Sequence, residues 1–542
     1  MAIIDKKIYE QTPKEAISWK ILCYAIILSF SGSAHGFNTA NISGVLAFSP
    51  FKKHFELSGM SEESLADWKA GITSMLILGS CVGSLIIAPV NNKLGRKWSL
   101  GLSAFVYSLS AILMSANPGG AGGRAELLVG RFLSGAGSGA ASVVGMNYMA
   151  EIAPSAIRGG LTASYNANTM LSVGLAYWIN YGALLNLGGS NAQWQVPMGF
   201  QALPGIILIV GLFFVPESPR WLLSKGKSEA AEAALENLRS LPRDHTYLRQ
   251  ELYEIRAGVE HELALSPSFK GLLKEMVSSN VRKRLALVMM MQIGFQFSGG
   301  NTLTYYMTSE CSHPHADLRV YRYHLELLQL PLCRHLRHGQ IPLRSSLLPL
   351  HHRQTRSPNR ALVGSSLILV SLTYITVFLA VSDKSGEISK AGGLVAVVFI
   401  YIFAVGYSFS WAVAPYIINA EAFPTKIRST CMAICIAWQY LVNFAFSRAQ
   451  PNMVLAMHSW GPFCLFTCVT LCMTVYAYFA YPETKGLSME HMEELFNMPW
   501  YRVGRASTKV IIAVGAEPTL DEKKEKGINV EQTEDAAKPR TA

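Results

Sequence analysis

The chain has 542 residues, 50% of them hydrophobic and only 15% charged, with a formal net charge of +11. Its apolar residues gather into runs of about 20, long enough to cross a hydrocarbon core, which excludes a soluble globular body. The positive charge lies between those runs, beside anionic lipid, so no nucleic-acid partner is needed to explain it.

Residues 1–20 carry charges of both signs and no cleavable apolar core, so the first span is expected to stay as an uncleaved anchor. Spanning-length runs follow at 21–48, 70–90, 98–116, 127–150, 161–185 and 198–215, which makes a first bundle over residues 21–215. Residues 216–284 are polar and rich in Lys and Arg. There Ala230, Ala231, Ala233, Ala234, Leu235 and Leu238 recur at the spacing of short amphipathic helices lying on a membrane face. A second bundle over 285–481 offers runs at 285–307, 361–382, 393–419, 430–457 and 461–481, one fewer than the first. Residues 482–542 turn polar and read as a disordered tail.

Basic residues are retained on the cytoplasmic side and count most in short loops. Lys93, Arg96 and Lys97 follow the second span, Arg158 follows the fourth, and both 220–284 and the tail after Lys485 are basic, whereas the connector 186–195 has neither Lys nor Arg. Both termini are therefore expected in the cytoplasm. The nine cysteines give no redox information, because Cys431/Cys435 and Cys464/Cys468/Cys472 recur at helical spacing inside apolar runs, where thiols usually pack.

The pattern Glu-x2-Pro-x3-Arg occurs twice, at Glu151, Pro154, Arg158 and at Glu421, Pro424, Arg428. Pro216-Glu217-Ser218 and Pro482-Glu483-Thr484 repeat at nearly the same offset, so the chain reads as an internal duplication of about 270 residues. Two matching halves in a membrane suggest a transporter that exposes one site alternately to either side. Charged groups at span ends can pair across the halves when such a gate closes and hydrate when it opens. Candidates are Arg96, Arg131, Glu151, Arg158, Glu217, Arg220, Glu421, Arg428 and Glu483; the alternative is that they only mark the membrane boundary. Gly135, Gly137 and Gly139 lie inside an apolar run with no preceding soluble strand, so close helix packing accounts for them better than a nucleotide loop. No Walker lysine and no catalytic constellation accompanies them, which argues against an ATP-driven pump and against an enzyme.

Several motifs together resemble the sugar porter family of the major facilitator superfamily, in particular its fungal hexose- or quinate-type members. They are Asn92-Lys93-Leu94-Gly95-Arg96-Lys97, Gly130-Arg131, Tyr148-x2-Glu151-x2-Pro154-x3-Arg158-Gly159, Pro216-Glu217-Ser218-Pro219-Arg220-Trp221-Leu222 and Pro482-Glu483-Thr484-Lys485-Gly486-Leu487. The resemblance implies an all-α membrane protein of two pseudo-symmetric six-helix bundles around a central site, working in a plasma membrane, as a monomer, without cofactor or metal. A polar solute must exchange water for hydrogen bonds from uncharged side chains in the spans. Gln296, Asn301 and Tyr305 resemble the family's sugar-binding pattern, and Gln439 and Asn443 share one face of a later span. Tyr416 stands where the family usually has Trp, and Phe295 where it often has a second glutamine. Asn166 and Asn168 both lie near a family glutamine, Asn168 fitting better. The alternative for each amide is that it only bridges helices.

Gly36-Phe37-Asn38 falls where proton-coupled members usually have an aspartate facing an arginine such as Arg131. Asn38 cannot titrate, which favours facilitated diffusion of a monosaccharide or related polyol over symport. His35 is a weaker candidate for carrying a proton in its place. Also open are a proton symporter of sugar, quinate, inositol or disaccharide, a sensor that binds without transporting, and an inactive product. The inactive product arises because the repeat predicts an eighth span near 337–358 followed by a basic loop. Residues 309–360 instead hold seven histidines among arginines and prolines. Arginine near a bilayer centre costs at least about 2.5 kcal/mol, so this stretch is not an ordinary span. Its Cys311-x-His313-x-His315 and Cys333-x-His335-x2-His338 match no standard zinc module. The pattern is best explained by an out-of-frame or misspliced segment.

Overall fold

The computed structural model describes residues 18–154, 157–265, 269–300, 357–385, 390–411, 427–458 and 460–481, with Pro13, Ile418, Ala422, Phe423, Met498, Arg502 and Val503 besides. Among them every regular element is helical. The predicted site residues Asn301, Tyr305, Tyr416, Glu421 and Glu483, and the anomalous 309–356, lie outside the described residues, as do the side chains of Arg158 and Arg428.

The first bundle comprises α1 (Trp19–Val45), α3 (Glu62–Leu94), α4 (Arg96–Ser115), α5 (Gly120–Ile152), α6 (Arg158–Asn186) and a broken last span made of α7 (Ala192–Phe200) and α8 (Leu203–Leu212). A short α2 (Ser49–His54) caps one end. Eight helices among the described residues are long and apolar enough to cross a membrane. Their outward faces carry Ile86, Phe105, Val129, Ile206 and Val210, large apolar side chains left exposed, as a lipid-facing surface requires. Without a hydrophobic drive between helices in lipid, contact depends on close backbone approach through small residues. A Cβ on Gly135 would lie 2.0 Å from the Leu76 carbonyl oxygen, and one on Gly83 would lie 2.1 Å from that of Ala136, so α5 and α3 meet backbone to backbone. The glycine-rich run is therefore a packing surface.

Two departures from the sequence reading have physical causes. The sixth span starts at Ala192, inside the expected connector, because Trp194 is fully buried among Phe51 and Phe55 of the cap. Pro197 and Pro204 interrupt this span, and at the break Gln201 turns its amide inward. Cys431 and Cys435 are buried as expected, but Cys468 and Cys472 are exposed on the outer surface of their helix.

The linker forms α9 (Pro219–Ser224), α10 (Ser228–Arg239), α11 (Thr246–Leu265) and α12 (Phe269–Met276). Ala231, Ala234, Leu235 and Leu238 make the buried stripe of α10, the amphipathic pattern seen in the sequence. Arg239 ties this unit to the first bundle: it donates to the Ile152 carbonyl oxygen at 2.8 Å and grips Glu251 with two bonds of 2.8 and 2.6 Å.

The second bundle contributes α13 (Ser279–Phe297), α14 (Ser357–Ser385), α15 (Lys390–Phe409), α16 (Arg428–Met457) and α17 (Gly461–Ala480) among the described residues. Phe295, Ile368, Leu372, Trp411, Phe463 and Phe466 lie in its apolar core. The duplication is visible in the backbone: Ile157 precedes α6 at φ −119°, ψ 4°, and Ile427 precedes α16 at φ −116°, ψ −1°. The two bundles meet along α3 and α16, where Ile77 packs on Tyr440 and Phe444.

Candidate functional site

Where the bundles meet they enclose a cavity of about 110 Å³, room for several waters. Its wall comes from both bundles: His35, Asn38 and Thr39 of α1, Leu76, Ile77 and Ser80 of α3, and Ser138 of α5 face Phe295 of α13 and Gln439, Tyr440 and Asn443 of α16. Hydroxyls and amides alternate with aromatic faces, and none of these side chains is a carboxylate, lysine or arginine. Such a lining can exchange hydrogen bonds with a polyhydroxylated solute while its rings cover the solute's carbon face.

Of the predicted ligands, Gln439 and Asn443 share the cavity face of α16 as their spacing requires. Gln296 lies one layer behind, 2% exposed, and its amide donates to the Gln439 carbonyl oxygen at 3.3 Å. Phe295, which replaces an amide, does line the cavity and stacks on Tyr407. Asn168 instead bonds Ser29 at 2.9 Å and joins α6 to α1, while Asn166 is exposed. Gln292, one turn before Phe295, escaped the sequence reading. It is fully buried, and neither amide atom has a partner among the described residues, which suits a site for ordered water or solute.

Asn38 and Arg131 lie in a buried polar network. Arg131 donates to the Asn38 side-chain oxygen at 3.0 Å, and Gln201 donates to the same oxygen at 2.8 Å. The Asn38 amide donates onward to Ser138 at 3.1 Å. Asn41 reaches Gln201 at 3.3 Å and receives Asn180 at 3.2 Å. An amide suits this place because its oxygen accepts two bonds while its nitrogen donates a third. Gln201, Asn41 and Asn180 were missed from the sequence. Each is an amide within a span, a signal of burial that does not name its partners.

At the end of the first bundle where α9 lies, three of the candidate gate residues, Arg96, Glu151 and Glu217, come together. Arg96 grips Glu151 bidentately at 2.9 and 2.8 Å, and Ser218 donates to the same carboxylate. Glu217 accepts the backbone N–H groups of Arg96, Lys97 and Ser218 at 3.0, 3.2 and 2.9 Å. Burial pushes the Glu217 carboxyl up, against the pull of those amides and the Arg96 charge. Gly95, at φ +92°, makes the turn into α4, and a Cβ there would lie 2.4 Å from Glu217, so only glycine fits. Arg220 is half-buried on the first turn of α9. Arg158 and Arg428 open α6 and α16, equivalent places in the two halves. At the opposite end Arg448 of α16 pairs with Asp67 of α3 at 2.9 Å, and Asn452 donates to the same carboxylate at 3.0 Å, a link the motifs did not foreshadow.

Two bundles around an uncharged polar cavity, with charged clusters at span ends, define a solute transporter. The family model described as "Sugar (and other) transporter" matches residues 24–310 and 358–496, so the chain belongs to that family and is a multi-pass membrane protein of the major facilitator fold. It is similar to the probable quinate permease of Aspergillus niger, 31% identical over 549 residues that cover 99% of either chain. It is 30% identical over 496 residues to the quinate permease of Emericella nidulans, covering 90% of each. The xylose transporter XylE from E. coli in its inward open conformation superposes with a TM-score of 0.70 over 88% of this chain and 99% of that one, at 22% identity. Between its two matched stretches the family model leaves 311–357 unmatched, within the region where the sequence repeat fails.

Proposed function

We propose that this transporter carries a monosaccharide or related polyol, including quinate-type compounds, down its gradient through a plasma membrane. The observation that carries this reading is the amide-and-hydroxyl wall at the bundle interface, with Asn38 holding the coupling position as a neutral amide. Gln439, Asn443 and Gln296, together with Asn301, Tyr305 and Tyr416, would bind the solute, and His35 joins them as a cavity-lining group. The Arg96–Glu151–Ser218 and Glu217 cluster would form the cytoplasmic gate with Arg158, Arg220, Glu421, Arg428 and Glu483, with both termini on that side. Residues 21–215 and 285–481 would be the moving bundles and 216–284 the cytoplasmic connector. A second reading, proton-linked uptake, draws on His35, a titratable group on the cavity wall.

The test is uptake of labelled xylose, glucose, inositol and quinate in a transporter-null cell, with external pH recorded. Saturable uptake without solute-induced proton entry is expected, and Gln439→Ala with Asn443→Ala should reduce it at least about tenfold. Proton entry would overturn the facilitative mechanism. Absence of uptake of all four, restored when a conventional eighth span replaces 309–360, would assign the defect to that segment.

A further inference from the structure

The two helices that join the bundles touch along one half of their length and stand apart along the other. On α3, Asp67, Ala70, Ser74, Ile77 and Cys81 follow one another at steps of three and four residues, so they form a single face. All but Asp67 are buried. This face is matched on α16: Asp67 takes Arg448 and Asn452, Ile77 packs on Tyr440 and Phe444, and the Cys81 thiol reaches the Ala437 carbonyl oxygen at 3.7 Å. The partners descend from 452 to 437 as α3 ascends from 67 to 81, which is the register of two antiparallel helices closed along one seam.

Past Cys81 the seam parts. Leu85, Ala88 and Asn92 continue the same face of α3 and are exposed, while Ala433 and Thr430, opposite them by the same register, are only half-buried. A face buried at one end and exposed at the other is what two rigid bundles leave when they rock apart about a line near Cys81. Charges at the two ends agree. At the parted end, beside α9, the bonds of Arg96, Glu151 and Glu217 stay within the first bundle and α9 among the described residues. At the closed end Arg448 crosses between bundles, donating to the Asp67 backbone oxygen at 3.3 Å and to its carboxylate at 2.9 Å, and Asn452 donates to the same carboxylate.

We propose that Asp67, Arg448 and Asn452 are the latch of an outer gate, which holds the seam shut on the side away from α9 and breaks when the bundles rock the other way. This rests on the transport reading above and adds a second gate to it. Ile77 lines the cavity beside the seam, so the latch lies about 15 Å from the cavity wall along α3. An exposed ion pair with two added hydrogen bonds is weak enough to be broken in every cycle, as a latch must be.

The experiment follows maleimide labelling of the purified full chain in detergent, with each labelled peptide identified by mass and the exposed Cys468 and Cys472 as internal references. Ser74→Cys reports on the closed half of the seam and Ala88→Cys on the parted half. Asp67→Asn should speed labelling at position 74 about two- to fivefold and slow it at position 88, because opening one half closes the other. Asp67→Arg sets like charges face to face and should move both rates further in the same directions. Combining Asp67→Arg with Arg448→Asp should return both rates to their native values. Faster labelling at position 74 with no change at position 88, even for Asp67→Arg, would mean local loosening and overturns the latch. Unchanged labelling at position 74 overturns it too, as does an exchanged pair that restores neither rate. Labelling does not depend on solute, so a chain that takes up none of the tested solutes yet shows the reciprocal change keeps the latch and counts against the transport reading alone.

Discussion

Asn38 shows how one buried amide can satisfy three neighbours at once. Its oxygen accepts from Arg131 and Gln201 while its nitrogen donates to Ser138, a division of roles that an ionised carboxylate cannot reproduce. Asn38→Asp therefore puts a titratable group on the cavity wall beside a guanidinium. Uptake by that variant is expected to vary with pH, where the native chain stays flat. A flat profile in both would mean that this position has no bearing on coupling. Asn38 and Arg131 were both legible from the family resemblance, but their partner Gln201 was not. It lies in a different span, at a proline-broken point, and only folding brings it within 2.8 Å of Asn38.

At the scale of elements, helix contact here depends on missing side chains more than on present ones. Gly135 meets the Leu76 carbonyl oxygen so closely that one added methyl group must push α5 from α3. Gly135→Ala is expected to destabilise the purified protein by about 1–3 kcal/mol, seen as a lower midpoint in thermal unfolding in detergent. Gly174 on α6 supplies the contrast, since a Cβ there would meet nothing within 4 Å. Gly174→Ala should be neutral or slightly stabilising, because alanine loses less backbone entropy on folding. Equal effects of the two would show that close approach does not govern this packing. The sequence marked the glycine run as a packing surface. It did not say which neighbour would be touched, nor that Cys468 and Cys472, spaced like the buried pair on α16, would face outward.

For the whole molecule, the relation of the bundles is held at one end by Asp67, Arg448 and Asn452, residues separated by more than half the chain. Exposed pairs of this kind are weakened by solvent, so this one biases an equilibrium between nearly balanced forms without locking it. Asp67→Asn should therefore speed amide hydrogen exchange in residues 62–69 and 445–452 while leaving α10 and α11 unchanged; identical exchange would show that this pair does not hold the two helix ends together. The duplication, the spans and the charged loops were readable in the sequence because each is a local or periodic property: run length, fixed offset, or basic residues beside apolar ones. The failure of the repeat at 309–360 was readable for the same reason, as arginine and histidine occur where apolar residues are needed. Tertiary structure alone decided which side chains share a cavity, since Asn38 and Gln439 are about 400 residues apart and periodicity has no reach between helices. It also decided that Asn168 joins two helices away from the cavity. Those outcomes depend on helix rotation and approach, which are set by packing against neighbours rather than by the order of residues along any one span.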